Sequence, residues 1–125
     1  MLFLMRLLVQ KEKLQTRQLS QAGREFLLII TEGFWPRFFG WRLAGLFEHP
    51  NPLIFIPRCR AVQQWLDCSS LAVFFIDAHG RVLAQNTMGF GQFRYCWQAY
   101  GVIEGPVQQM ELIRLLLSNK KICYR

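Results

Sequence analysis

The chain has 125 residues, of which 52% are hydrophobic and 18% charged, with a formal net charge of +7. Eleven Phe and four Trp exclude disorder, which needs few aromatics and high charge. The length suits one domain, residues 1–125, able to bury a core without metal or disulfide staples.

The chain opens with MLFLMRLLV, an apolar run interrupted by Arg6. No charged side chain precedes it and no small-residue cleavage site follows, so it does not read as a signal peptide, and its nine residues are too few to span a bilayer. It reads as part of the fold or as a short amphipathic element, and the protein is expected in the cytoplasm. Lys11 to Lys13 reads as a turn, and the polar stretch 14–24 as an exposed connection. Phe26 to Thr31, FLLIIT, has the length and continuity of a strand buried on both faces.

Pro36 suits a first helical turn, and Phe34, Phe38 and Trp41 fall at i, i+4 and i+7. This spacing predicts a helix over 35–44 with those aromatics on its core face and Arg37 and Arg42 away from it. EHPNP is a loop, and LIFI at 53–56 is a short buried strand stopped by Pro57. Residues 58–67 fit either a helix or an extended segment.

LAVFFI at 71–76 predicts a strand. Asp77-Ala-His-Gly80 predicts a turn, because Asp hydrogen-bonds its own following backbone and Gly accepts positive φ. Residues 81–85 return as the partner strand. MGFGQF is a loop, and 93–97 and 100–104 are strands. Pro106 opens a predicted helix over 106–117, with Met110, Ile113, Leu116 and Leu117 inward and Leu112 and Leu115 widening the stripe. KICYR reads as a final strand. The sum is a mainly β protein, a compact β-sandwich or partly closed β-barrel with about two flanking helices.

Several of these segments resemble one known family. FWPRFFG, then IPRCRAV, VFFIDAHGRVL and VIEGP are similar to the small prokaryotic proteins grouped as domain of unknown function one hundred and ninety-two, over residues 26–125. Phe34, Trp35, Arg37 and Gly40 match the first block of that pattern, with Arg42 and Gly45 repeating the arginine-to-glycine spacing. Cys59, Arg60 and Val62 match the second. Val73, Phe75, Asp77, Gly80, Arg81 and Val82 match the third, and Glu104 stands before the closing Pro106. Gln63, Gln64 and Trp65 replace a common histidine, threonine and phenylalanine. Asp67 stands where a methionine is typical, and Ala72 replaces an aspartate. The resemblance implies a compact mainly β fold. It also implies that any activity built on that histidine and aspartate is lost or changed here.

The sequence offers little catalytic chemistry. Cys59, Cys68, Cys96 and Cys123 contain no C-x-x-C and match no zinc spacing, so neither metal nor cofactor is expected. Arg58 and Arg60 flank Cys59 and would favour its thiolate, but no base accompanies it. His79 has no recognisable partner, and nothing pairs Asp67 with Glu104. An enzyme is therefore not the expected reading. Arg58, Arg60, Gln63, Gln64 and Trp65 form the candidate recognition surface, since an arginine fork, amides and an indole together can hold a partner. Arg37, Trp41 and Arg42 form a secondary basic-aromatic surface of the kind used on nucleic acids or membranes. Asp77 and Gly80 are structural. Eleven of the fifteen basic residues are Arg, which suits a partner surface. A protein partner is the leading expectation. A small ligand held near Arg60, Gln63 and Trp65 is the alternative, and nucleic acid a further one.

Overall fold

A computed structural model describes residues 2–10, 14–64 and 70–119, with the side chain of Leu2 left aside. The predicted turn at 11–13, the final strand at KICYR, and Trp65, Asp67 and Cys68 lie outside the described residues.

The strands are β1 (Gln15–Gln21), β2 (Arg24–Ile30), β3 (Pro52–Pro57), β4 (Ala61–Gln63), β5 (Leu71–Ile76), β6 (Val82–Met88), β7 (Phe93–Tyr95) and β8 (Gly101–Pro106). Among the described residues, three α-helices accompany them: α1 (Leu2–Leu8), α2 (Phe34–Phe39) and α3 (Met110–Asn119). The architecture is mainly β, as the sequence predicts. Six strands form one open sheet in the order β1-β2-β3-β8-β5-β6, and β4 and β7 form a separate two-stranded ribbon. The sheet does not close on itself. It is antiparallel except where β2 runs parallel to β3, joined by a crossover that contains α2.

Both faces of the sheet are covered, which explains the continuous apolar runs of the central strands. Leu53, Phe55, Ala72, Phe74, Ile76 and Ile103 pack with Ile113, Leu116 and Leu117 of α3. The alternate residues Ile54, Ile56, Leu71, Val73, Phe75 and Val102 pack with Met5, Phe39, Leu43 and Leu46. Every residue of β5 is buried.

Three sequence expectations are corrected. Residues 14–24 are not a connection: Gln15–Gln21 is an edge strand paired along its length with β2. Its polar pattern reflects exposure, not irregularity. The apolar N-terminal run, read as part of the fold or a short amphipathic element, is helix α1, with Met5 and the following Val9 buried. The helix near 35–44 is α2 followed by a 3₁₀ turn over Gly40–Leu46, and its buried stripe is Phe39, Leu43 and Leu46. Phe34 and Phe38 of the expected core face are 70% and 40% exposed. Pro106 ends β8 rather than opening a helix; a 3₁₀ turn at Val107–Gln109 leads into α3, where Leu115 is exposed.

The Asp77 turn is as expected. Its Oδ1 accepts the N–H groups of His79 at 2.8 Å and Arg81 at 2.9 Å, and Gly80 sits at φ +84°. Partial burial pushes the Asp77 carboxyl up, but those two N–H groups and the Arg81 guanidinium outweigh it and hold the group below its ordinary 3.8.

Candidate functional site

A cavity of about 260 Å³ lies where α2 and the 3₁₀ turn cross the sheet beside β4. Arg37, Phe38, Gly40, Trp41 and Arg42 form one wall; Cys59, Ala61, Val62, Gln63 and Gln64 form the other; Ile56 and Glu104 form the floor.

Glu104 is the unusual member. It lies in β8 opposite Ile54 on one side and Val73 on the other, both core residues of the same sheet face. A carboxyl here is flanked by hydrocarbon in both neighbouring strands, and the residue is 4% exposed. The backbone N–H of Trp41 donates to it, while Oε1 is buried with no hydrogen-bond partner among the described residues. Burial pushes the pKa from the ordinary 4.5 up to about 7, against the smaller lowering by the Trp41 N–H. A buried polar atom without a partner costs about 1–3 kcal/mol, so a molecule that satisfied Oε1 would recover that cost.

The surrounding backbone keeps this space open. Gly40 has φ +53°, and a Cβ placed on it would come within 3.4 Å of Glu104 Oε1. Glycine relieves both the conformation and the crowding. Arg37 is turned inward and ties the two walls together. Its Nη1 donates to the carbonyl of Pro57, and its Nη2 to that of Arg58 at 3.0 Å. Arg58 has φ +52°, a left-handed conformation rare for a residue with a Cβ. That bend turns the chain from β3 into β4. Cys59 N–H then reaches the Tyr100 carbonyl at 3.0 Å, and Gln64 N–H the Gln92 carbonyl at 3.0 Å.

The predicted residues divide. Gln63 and Gln64 line the cavity, and so do Arg37, Trp41 and Arg42, so the structure joins parts of two surfaces that the sequence kept apart. Arg58 and Arg60 are not in its lining. They border a separate shallow hollow with Ala99 and Tyr100, and Arg58 pairs with Glu32 at 2.9 Å. Ala72, standing where the resembled family has an aspartate, packs under α3 on the opposite sheet face from Gln63. These two positions therefore do not share a site. Cys59 is not an activated thiol: burial pushes its pKa up, and its Sγ faces the Ala61 carbonyl at 3.1 Å.

Among the described residues, no three His, Cys, Asp or Glu side chains gather as metal ligands, and no helix is long and apolar enough to cross a membrane. Comparisons with protein-family models, curated proteins and solved structures give no match. The chain's own geometry carries the functional argument.

The sequence signal for Glu104 is one carboxylate inside the apolar run of VIEGP, in a segment that reads as a strand. Without the partner strands, nothing in the sequence placed it beside Gln63 and Arg37.

Proposed function

We propose that this protein binds a small polar molecule in the cavity over Glu104. The observation that carries the reading is the buried, unpartnered Oε1 of Glu104 in a cavity of about 260 Å³. A concave site with apolar walls and a few convergent polar groups is the usual form of a small-ligand pocket, and this volume falls just below the usual range, which restricts the ligand to a very small molecule.

The lining selects the ligand class. Arg37 and Arg42 in the wall disfavour a cation, and Glu104, protonated below about pH 7, can donate a hydrogen bond. An uncharged ligand bearing a carbonyl or hydroxyl would accept from Glu104 and meet the amides of Gln63 and Gln64. Its affinity would fall as pH rises through 7. The free thiols of Cys59 and Cys96 fit a reducing cytoplasm. The similarity to the domain-of-unknown-function family belongs to the same proposal, with Gln63 as the altered position that faces the ligand.

The test is a screen of uncharged hydroxylated and amide fragments by thermal stabilisation at pH 6, with hits mapped by NMR. A ligand at one hundred times its Kd adds roughly 2.7 kcal/mol of stability. Hits should shift the side-chain amides of Gln63 and Gln64 and the indole of Trp41. Hits that map elsewhere, or none at millimolar concentration, would remove the reading.

A further inference from the structure

The cavity over Glu104 also holds a thiol. Cys59 lies in the wall that faces Arg37 and Trp41, above the floor that contains Glu104. It is free and half-buried. Its Sγ donates to the carbonyl of Ala61 at 3.1 Å, a residue of the same wall. Two groups of the cavity act on it through space: the Arg37 guanidinium favours the thiolate, and the Glu104 carboxylate opposes it. Cys96 is also free and packs against the same core, but it is not in the cavity lining.

A buried thiol held neutral is a poor nucleophile. It reacts where the site makes its target more electrophilic, and Glu104 can do that. Glu104 is 4% exposed, its Oε1 has no hydrogen-bond partner among the described residues, and it keeps its proton up to about pH 7. A protonated carboxyl that donates to a ligand carbonyl stabilises the negative charge that an attacking sulfur pushes onto that oxygen. In that form it also places no charge against the developing thiolate. The remaining groups around Glu104 work in the same direction. Arg37 from α2 and Arg42 from the 3₁₀ turn are cations, Gln63 and Gln64 are neutral amides, and the flanking strands present Ile54 and Val73.

The placement of acid and thiol selects the ligand. Among the described residues, no hydrogen bond joins Cys59 to Glu104. A ligand that engages both must therefore carry its acceptor oxygen and its reactive carbon at separated atoms. A conjugated (α,β-unsaturated) carbonyl compound has that layout, because its reactive alkene carbon lies two bonds beyond the carbonyl carbon. An uncharged one of few non-hydrogen atoms suits a cavity of about 260 Å³.

We propose that Cys59 captures small uncharged conjugated carbonyl compounds as covalent thioether adducts, with Glu104 as the acid that meets the ligand carbonyl. This rests on the reading that the cavity takes a small uncharged ligand. Sγ forms a bond to the far alkene carbon, and the alkene π pair shifts toward the carbonyl oxygen, which takes the Glu104 proton. The thiol proton passes to Glu104 and restores it. The resulting enol returns to the carbonyl form by moving its proton to the carbon beside the carbonyl. The sum is addition of S–H across the C=C bond, with no leaving group and no oxidant or reductant.

The experiment uses acrylamide as the electrophile and propionamide, its saturated counterpart, as the unreactive ligand. Modification of Cys59 in the full chain is followed by peptide mass spectrometry at pH 6 and pH 8, with N-acetylcysteine as the reference thiol in solution. Cys59→Ser and Glu104→Gln are compared with wild type, each checked for folding by circular dichroism. Burial alone makes Cys59 slower than the reference thiol. The expected result is a Cys59 that reacts faster than N-acetylcysteine at pH 6, is slowed about 100-fold by Glu104→Gln, and is protected by propionamide. The Cys59→Ser peptide should carry no adduct. At pH 6 the Glu104 charge is mostly absent, so the loss in the glutamine variant reports the donated proton and not the removal of a repelling charge. The advantage over that variant should shrink at pH 8, where Glu104 is mostly ionised.

Equal rates for wild type and Glu104→Gln at pH 6 would overturn the proposal, and so would a Cys59 no faster than the reference thiol. Fast modification that propionamide does not slow would place the reaction outside the cavity and overturn it as well; this arm needs no variant. Propionamide that shifts the side-chain amides of Gln63 and Gln64 by NMR, with Cys59 inert to acrylamide, would overturn the capture and leave the ligand site standing. Neither binding nor reaction would remove both.

Discussion

Replacing Glu104 by glutamine isolates the buried carboxyl. In the unfolded chain the group titrates at the ordinary 4.5; in the fold it titrates at about 7. The folded state therefore holds the proton more tightly. The stability this contributes is complete below pH 4.5, is lost progressively as pH rises to about 7, and is absent above that. At about 1.4 kcal/mol per pH unit, the loss over this window reaches about 3 kcal/mol. Glu104→Gln keeps the shape and a carbonyl that can accept from the Trp41 N–H, but it cannot ionise. Any fixed cost of the new amide appears as an offset at every pH, and all other titrating groups are common to the two proteins. The measurement is urea unfolding followed by tryptophan fluorescence from pH 4.5 to 8.5. The stability of the variant relative to wild type should grow with pH by about 3 kcal/mol, on the order of 10 °C in Tm. Parallel curves for the two proteins would refute the claim of a desolvated carboxyl.

Three further outcomes follow from the geometry. Arg37→Ala removes the donors to the Pro57 and Arg58 carbonyls and should cost about 2 kcal/mol in urea unfolding; a change within error would mean that the bend at Arg58 holds without it. Gly105→Ala places a Cβ 2.7 Å from Ile113 Cδ1 and 2.8 Å from Leu53 Cδ2, which should cost about 1–3 kcal/mol unless α3 can lift, and a wild-type unfolding midpoint would show that it does. Asp77→Ala opens the β5–β6 turn and should cost about 1 kcal/mol near neutral pH. Because the Asp77 carboxyl titrates below 3.8 in the fold, its contribution is present above that pH and is lost as pH falls through the folded value. The gap between wild type and Asp77→Ala should therefore close in acid, and a gap constant down to pH 2 would contradict the ionised turn.

The legibility of the fold followed burial. β2, β3 and β5 are covered on both faces, so they announce themselves as unbroken apolar runs. β1 pairs by its backbone at the sheet edge and buries almost nothing, so QTRQLSQ has no hydrophobic period to read. In the α2 region two stripes compete at helical spacing. Phe34, Phe38 and Trp41 are larger, but Phe39, Leu43 and Leu46 face the sheet, and only the tertiary contacts choose between them. The turn at Asp77 was readable because its chemistry is local. The site was not, because Arg37, Gln63 and Glu104 come from three separated segments. Their meeting depends on the parallel crossover from β2 to β3 and on the left-handed bend at Arg58.

The most direct test of the ligand site is the titration of Glu104 itself, by carboxyl ¹³C NMR of the glutamate-labelled protein, with Glu104→Gln identifying the resonance. The account predicts a midpoint of about 7 for this one glutamate in the ligand-free protein. A midpoint near 4.5 would mean that the carboxyl is solvated or already paired. The cavity would then offer no unsatisfied group for a ligand to meet.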